Sequence, residues 1–196
     1  MKRRHFVLGA SAAAVIGAPS VSLALSEGQA SGLVNSVVND INKVIASGKS
    51  ESGMIRDFAR IFDRYADNAY IAAYAMGADA RRASGAQKKA FSNAFGDYLA
   101  RKYGKRFREF IGGQIQVQSV RSANKFYEVR TKAILRGQSP FDVTFLVSDR
   151  AGRPLFFNMF IEGINMLATE RTEIGAMIDR RGGNIDQMIG DLKRAG

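Results

Sequence analysis

The sequence predicts an α+β domain in which helices wrap a four-stranded antiparallel sheet. Three observations point there. From Leu33 to Phe110 the apolar residues recur at helical spacing. At Gln114 the period changes to two. After Thr169 the helical period returns and runs to the end. A twisted sheet wrapped by helices makes a cone, which either fills with side chains or holds an apolar ligand.

The first element is an export signal over residues 1–24. Lys2-Arg3-Arg4-His5-Phe6 is a basic start, and Ala-rich apolar sequence follows it to Ala24. Ser22-Leu23-Ala24 puts small side chains at the two positions a signal peptidase reads, so the cut is expected after Ala24. The paired arginines point to the bacterial route that exports folded proteins, with an ordinary Sec signal as the alternative. Residues 25–196 then form one domain of 172 residues, long enough for a sizeable core.

Helices come next. Leu33, Val34, Val37, Val38, Ile41, Val44 and Ile45 form one stripe, closed by Gly48. Met54, Phe58, Ile61, Phe62 and Tyr65 form a second. Asp67 is the expected N-cap of a short Ala-rich helix that stops at Gly77. Ser84-Gly85-Ala86-Gln87 has capping-box spacing, and the helix behind it is expected to reach Phe110 before Gly112-Gly113 break it.

Four strands are expected over Gln114–Val120, Phe126–Leu135, Phe141–Ser148 and Leu155–Glu162. Phe157, Met159 and Ile161 fall on one face of the last, with Phe156 and Phe160 on the other. Two helices follow, one after Thr169 and one opened by Asn184.

Composition excludes several chemistries. His5 is the sole histidine and leaves with the signal, and the chain has no cysteine. The mature protein therefore has no Ser-His-Asp or Cys-His catalysis, no zinc site of His or Cys, and no disulfide. An enzyme would need an isolated carboxylate of raised pKa; Glu128, Asp142 and Glu162 are the acids expected in strands, and their spacing suggests no acid–base pair. Loss of Lys2, Arg3 and Arg4 leaves 26 of 29 basic residues against 18 acids, about +8. Outside the cytoplasm the nearby anionic surface is a membrane, and no aromatic-basic nucleic-acid motif is present. No apolar run after the signal is long enough to cross a bilayer.

Two stretches carry a family resemblance. One runs from Asp67-Asn68-Ala69-Tyr70-Ile71-Ala72-Ala73-Tyr74-Ala75-Met76-Gly77 through Arg81-Arg82-Ala83-Ser84-Gly85-Ala86-Gln87 to Phe91 and Phe95. The other joins Asp149-Arg150-Ala151-Gly152-Arg153-Pro154 to Glu162-Gly163-Ile164-Asn165-Met166, Arg171, Ile174, Gly182-Gly183 and the tail to Leu192. Together they resemble the MlaC (toluene-tolerance) family of periplasmic phospholipid-binding proteins. The resemblance implies an NTF2-like cone and a non-enzymatic shuttle without a cofactor. Its cargo would be a phospholipid. Its partners would be an inner-membrane ABC transporter with MCE-domain subunits and an outer-membrane lipoprotein complex. The chain departs from the family pattern at Asn158 (often Asp), Asn165 (Ser expected) and Ile174 (commonly Phe). A hopanoid-binding branch and a non-binding envelope adaptor are the alternatives.

Read as a carrier, the chain offers a lipid-facing wall of Val117, Val129, Phe145, Val147, Phe157, Met159 and Ile161 on the sheet. Ile71, Tyr74, Ala75, Phe95, Tyr98 and Leu99 face it from the helices. Ordinary core packing is the competing role for each. Tyr103, Lys105, Arg106 and Arg108 form a candidate basic rim for a phosphate headgroup, or else a solvated helix end.

Overall fold

The computed structural model describes residues 25–105 and 109–196. The expected export signal over residues 1–24, and Arg106, Phe107 and Arg108, lie outside them. The helices are α1 (Glu27–Ala46), α2 (Glu51–Tyr65), α3 (Asn68–Met76), α4 (Gly85–Gly104), α5 (Met166–Arg180) and α6 (Ile185–Leu192). The strands are β1 (Gln114–Ala123), β2 (Phe126–Ile134), β3 (Phe141–Ser148), β4 (Leu155–Ile161) and β5 (Ile164–Asn165). A short 3-10 turn over Gly77–Arg81 joins α3 to α4. The sheet is an antiparallel meander in the order β1-β2-β3-β4-β5.

The helix starts follow from side-chain caps. Ser26 and Gln29 form a reciprocal capping box on α1, and Ser84 and Gln87 do the same on α4. Asp67 accepts from the Tyr70 N–H at 3.1 Å, and Asn184 accepts from Gln187 N–H at 3.1 Å. Each cap meets one of the donors that a first turn leaves unsatisfied. Helix α1 ends at Ala46, and Gly48 beyond it takes a φ of +63°.

The sheet has five strands where the sequence reading expects four. Glu162 and Gly163 both have positive φ, +50° and +78°. That is a two-residue hairpin turn of the type whose twist matches paired strands. It folds Ile164 back against Ile161 and Asn165 against Phe160. A two-residue strand is too short to show a period, so the alternation in the sequence ends at Glu162 without revealing it. Other boundaries differ as well, and β1 runs on to Ala123, three residues past its expected end. Helix α4 ends at Gly104, six residues before Phe110. Helix α5 starts at Met166, where Asn165 caps it by accepting from Ala168 N–H at 3.1 Å.

A bulge changes one face. Leu146 pairs with Asn158, but the next residue, Val147, pairs with Phe156, which leaves Phe157 as the extra residue. Phe156 therefore shares the face of Phe145 and Met159, contrary to simple alternation. Its ring sits edge-on to Phe62 at 5.8 Å and to Phe145 at 5.6 Å. Phe157 instead meets Tyr70 at 5.6 Å and Phe126 at 5.7 Å. A similar shift in β1, between Val117 and Ser119, brings Val120 opposite Val129.

Helix α1 lies over β1 and β2. Its buried stripe, Ala30, Val34, Val37, Val38, Ile41, Val44 and Ile45, supplies one side of the core. Asn42 ties it to the sheet edge, donating to Ile115 O at 3.0 Å and accepting from Ile115 N–H at 2.9 Å. Tyr65 at the end of α2 donates to Asp40 of α1 at 2.8 Å. Helices α2 and α4 approach closely at Gly104, where an added Cβ would lie 2.8 Å from Ile55 Cγ1.

Candidate functional site

An apolar space of about 360 Å³ lies between α1, α2 and the sheet. Val37 and Ile41 of α1 and Phe58, Ile61 and Phe62 of α2 form its roof. Phe145, Met159, Ile161 and Phe156 form its floor, and Phe110, Leu135 and Phe141 stand at one end. The roof follows from helical spacing, since 37/41 and 58/61/62 are one turn apart and point the same way. The floor follows from the bulge, which adds Phe156 to the alternating set.

A smaller space of about 40 Å³ continues from it. Phe58, Phe62, Tyr103, Phe156 and Met159 border both. Ile71, Leu99, Phe157 and Leu167 close the far side, with Glu170 among them. Glu170 is a charge in an apolar setting, its side chain 4% exposed. Its Oε1 accepts from Tyr103 Oη and from Lys102 Nζ, the latter at 2.8 Å. Its Oε2 has no hydrogen-bond partner among the described residues. Lys102 also reaches Glu173 at 2.7 Å, and Tyr98 donates to Glu173 at 2.5 Å.

This cluster pins α4 to α5 and perturbs Tyr98, Tyr103, Lys102 and Glu173. Burial pushes the Tyr98 phenol up to about 12, helped by the Glu173 carboxylate. Burial and then Glu170 raise Tyr103 as well. For Lys102, burial opposes the charge, but hydrogen bonds to Glu170, Glu173 and Tyr98 outweigh it and raise the ammonium. For Glu173, burial is outweighed by Lys102 and Tyr98, which hold the carboxyl low.

The structure divides the sequence-derived wall. Phe145, Met159 and Ile161 border the larger space, and Ile71, Leu99, Phe157 and Met159 border the smaller. Val129 and Val147 are fully buried in the core beneath. Ala75 is buried between α3 and its neighbours, and Tyr74 packs on Tyr70 with the Arg171 guanidinium 5.2 Å from its ring. Phe95 stacks between Phe91 at 5.2 Å and Tyr98 at 6.0 Å. Val117 is half-buried beside the β1 bulge. The sequence puts the facing helices at α3 and α4, whereas Val37 and Ile41 of α1 and Phe58, Ile61 and Phe62 of α2 line the larger space. The stripes of both helices were visible; their position over the sheet was not. Glu170 also escapes the sequence reading, though an acid between Leu167 and Ile174 on one helical stripe is a legible anomaly.

The rim candidates separate. Tyr103 turns inward to Glu170, and Lys105 donates to the Gly196 carbonyl at 2.8 Å. Arg106 and Arg108 lie outside the described residues. The three acids expected in strands are held in structural contacts, and Glu162 lies in the turn after β4. Arg121 Nη2 lies 2.6 Å from Glu128, Lys132 lies 2.5 Å from Asp142, and Glu162 accepts from Asp142 N–H at 2.7 Å. Among the described residues, no group of three or more His, Cys, Asp and Glu could hold a metal ion. None of the described helices is long and apolar enough to cross a membrane.

No curated protein matches the chain. Among solved structures, it is similar to the phospholipid-binding protein from Ralstonia solanacearum, solved in complex with a phospholipid. The TM-score is 0.72 at 19% identity, covering 86% of this chain and 96% of that one. At that identity the likeness is one of fold. The family model described as "MlaC protein" matches residues 34–194, from within α1 to just beyond α6. The match spans well over half of the sequence and takes in both the roof and the floor of the apolar space, so the chain belongs to the MlaC protein family.

Proposed function

We propose that this protein is a periplasmic carrier that holds a phospholipid by its acyl chains in the apolar space under α1 and α2. The observation that carries the proposal is that space itself, about 360 Å³ walled by Val37, Ile41, Phe58, Phe62, Phe145 and Met159. Membership of the MlaC family and the phospholipid in the Ralstonia structure support it. The cone would be the NTF2-like holder that the family resemblance implies. Residues 1–24 would direct export and be removed. The carrier would load and unload at an inner-membrane ABC transporter with MCE-domain subunits and at an outer-membrane lipoprotein complex.

The physics of the task needs no catalysis. A diacyl lipid exposes some thirty methylenes, each worth about 0.8 kcal/mol out of water. Free transfer across an aqueous gap thus meets a barrier of roughly 20 kcal/mol. A carrier replaces water with apolar walls and leaves the headgroup wet. It must also accommodate the cargo. A site on the order of 1,000 Å³ suits two chains, and the present space is nearer a third of that. Loading therefore requires the walls of that space to open. The same small volume favours one second reading, an envelope adaptor whose core stays filled.

Native mass spectrometry of protein purified from its own envelope without detergent separates these. A mass excess of one phospholipid per chain is the expected result. An excess matching a triterpenoid would assign the hopanoid branch. A bare polypeptide mass, repeated after incubation with phospholipid vesicles, would leave the adaptor.

A further inference from the structure

We propose that processing after Ala24 creates an α-ammonium at Leu25 that locks into Asp149. The proposal rests on the export reading above and specifies what the cut does to the fold. The motivating contact is long-range: Leu25 N lies 3.0 Å from Asp149 Oδ2, across 124 residues of sequence. It joins the entry of α1 to the β3–β4 turn.

The geometry holds that nitrogen in place from both sides. On the chain side, the next residue is the α1 cap. Ser26 N–H donates to Gln29 Oε1 at 2.9 Å, and Gln29 N–H donates to Ser26 Oγ at 3.2 Å. The Leu25 side chain is half-buried against the core. On the other side, the neighbouring cation is turned away from Asp149. Arg150 pairs with Asp67 at 3.3 Å, donates to Ser148 Oγ at 3.2 Å, and lies over the rings of Tyr70 and Phe157 at 3.5 and 4.2 Å. Lys125 lines a groove shared with Leu25, Asp149 and Arg150. The Asp149 carboxylate is thereby left for Leu25.

In the precursor, residue 25 offers this carboxylate a neutral amide N–H. Cleavage changes the chemistry without moving the nitrogen. A signal peptidase adds one water across the Ala24–Leu25 peptide bond; the C–N bond breaks, Ala24 keeps a carboxylate, and Leu25 keeps an amine that is protonated at neutral pH. The Leu25 nitrogen then carries a full charge and three donors toward Asp149, a charge-assisted bond about twice as strong as a neutral one. Ser22 and Ala24 supply the small side chains such a peptidase reads. Because α1 carries Val37 and Ile41 of the pocket roof, the new pair anchors one end of that roof to the sheet.

The first test is the intact mass and N-terminal sequence of protein isolated from its own envelope. A start at Leu25 is expected. Cleavage at any other bond overturns the lock and leaves export standing; an uncleaved, unexported chain overturns both. The second test compares Asp149→Asn in a form beginning at Leu25 and in one beginning at Ser22. The expected loss is about 3 °C of Tm in the first and under about 1 °C in the second. Equal losses overturn the lock. A third readout needs no substitution: labelling of the Leu25 α-amine by an amine-reactive reagent at pH 7. It should be at least about fivefold slower in the folded protein than in urea at equal reagent, as a carboxylate partner raises the amine's pKa. Equal rates overturn the proposal.

Discussion

Replacing Phe156 with Ala tests whether the apolar space is a cargo site. Phe156 borders both the larger and the smaller space, is 4% exposed, and touches Phe62 and Phe145 edge-on at 5.8 and 5.6 Å. A buried Phe→Ala change costs about 3–5 kcal/mol, from lost transfer energy and the cavity left behind. The two edge-on ring contacts belong to that total, at about 0.5–1.5 kcal/mol each. For a chain of this size the empty protein should lose roughly 8–15 °C of Tm. The removed ring also merges the two spaces into one. An acyl chain can then fill the volume that the ring vacates, so protein loaded with phospholipid should lose only about half as much. The assay is paired thermal denaturation of delipidated and loaded protein, with loading checked by native mass spectrometry. Equal losses in the two states would mean that Phe156 does not meet the cargo, and the pocket assignment would fall.

The remaining predictions concern the polar contacts that frame the pocket. Glu170→Gln should cost about 1–2 kcal/mol by urea denaturation, less than a fully buried broken pair, because Lys102 keeps Glu173 at 2.7 Å; no loss would show that the cluster contributes nothing. Tyr98 ionises at about 12 in the fold against 10.0 outside it, so its contribution is complete below pH 10 and disappears as pH rises toward 12; the urea midpoint should fall more steeply over that window in the wild type than in Tyr98→Phe. Asn158→Asp should cost about 1–2 kcal/mol, since Asn158 Nδ2 donates to Asn165 Oδ1 at 2.9 Å while that same oxygen caps α5, and a carboxylate would face it instead. Asn165→Ser supplies a hydroxyl donor, so the double variant should recover most of the loss; a double variant as poor as the single would refute the pairing.

That last pair shows where sequence reading gains and loses. Asn158 and Asn165 stood out separately as departures from the family pattern. Their distance in sequence hid that they bond to each other, and the hairpin that brings them together is too short to leave a period. The helices were legible because each carries a local cap and a long stripe, both set by neighbours within a few residues. The four longer strands were legible for the same reason. The pocket was legible only in part. Phe145, Met159 and Ile161 border it because alternation holds along β3 and the end of β4. Phe156 was assigned to the wrong face because a bulge is a property of two strands in register and not of one. The roof helices were missed because which helix covers which strand is a long-range choice.

On the carrier reading, the small volume of the pocket follows from the cost of an empty apolar site. An enclosed apolar void destabilises a protein by about 24 cal/mol per Å³. Holding a site near 1,000 Å³ open and dry would therefore cost on the order of 15 kcal/mol beyond the present space, as much as the whole stability of a domain. An unloaded carrier has to close down, and the cargo must supply the surface that reopens it. The contacts around the pocket indicate which walls can move. Helix α4 is held to α5 by Lys102, Tyr98 and Tyr103 on two carboxylates, and α2 rides on α4 through the close approach at Gly104. Helix α1 is fastened at Leu25 to the β3–β4 turn and at Asn42 to the edge of β1. Among the described residues, Tyr65 and Arg64 tie α2 to Asp40 of α1, the latter at 3.7 Å and exposed, and Lys49 of the connecting loop pairs with Asp57 at 2.6 Å. Asp40 is thus the residue on which the seam between α1 and α2 is tied. Asp40→Asn should loosen it, and lipid uptake from vesicles should then accelerate while thermal stability changes by less than about 1 kcal/mol. Unchanged uptake would place the opening elsewhere, at the Phe110 end of the pocket.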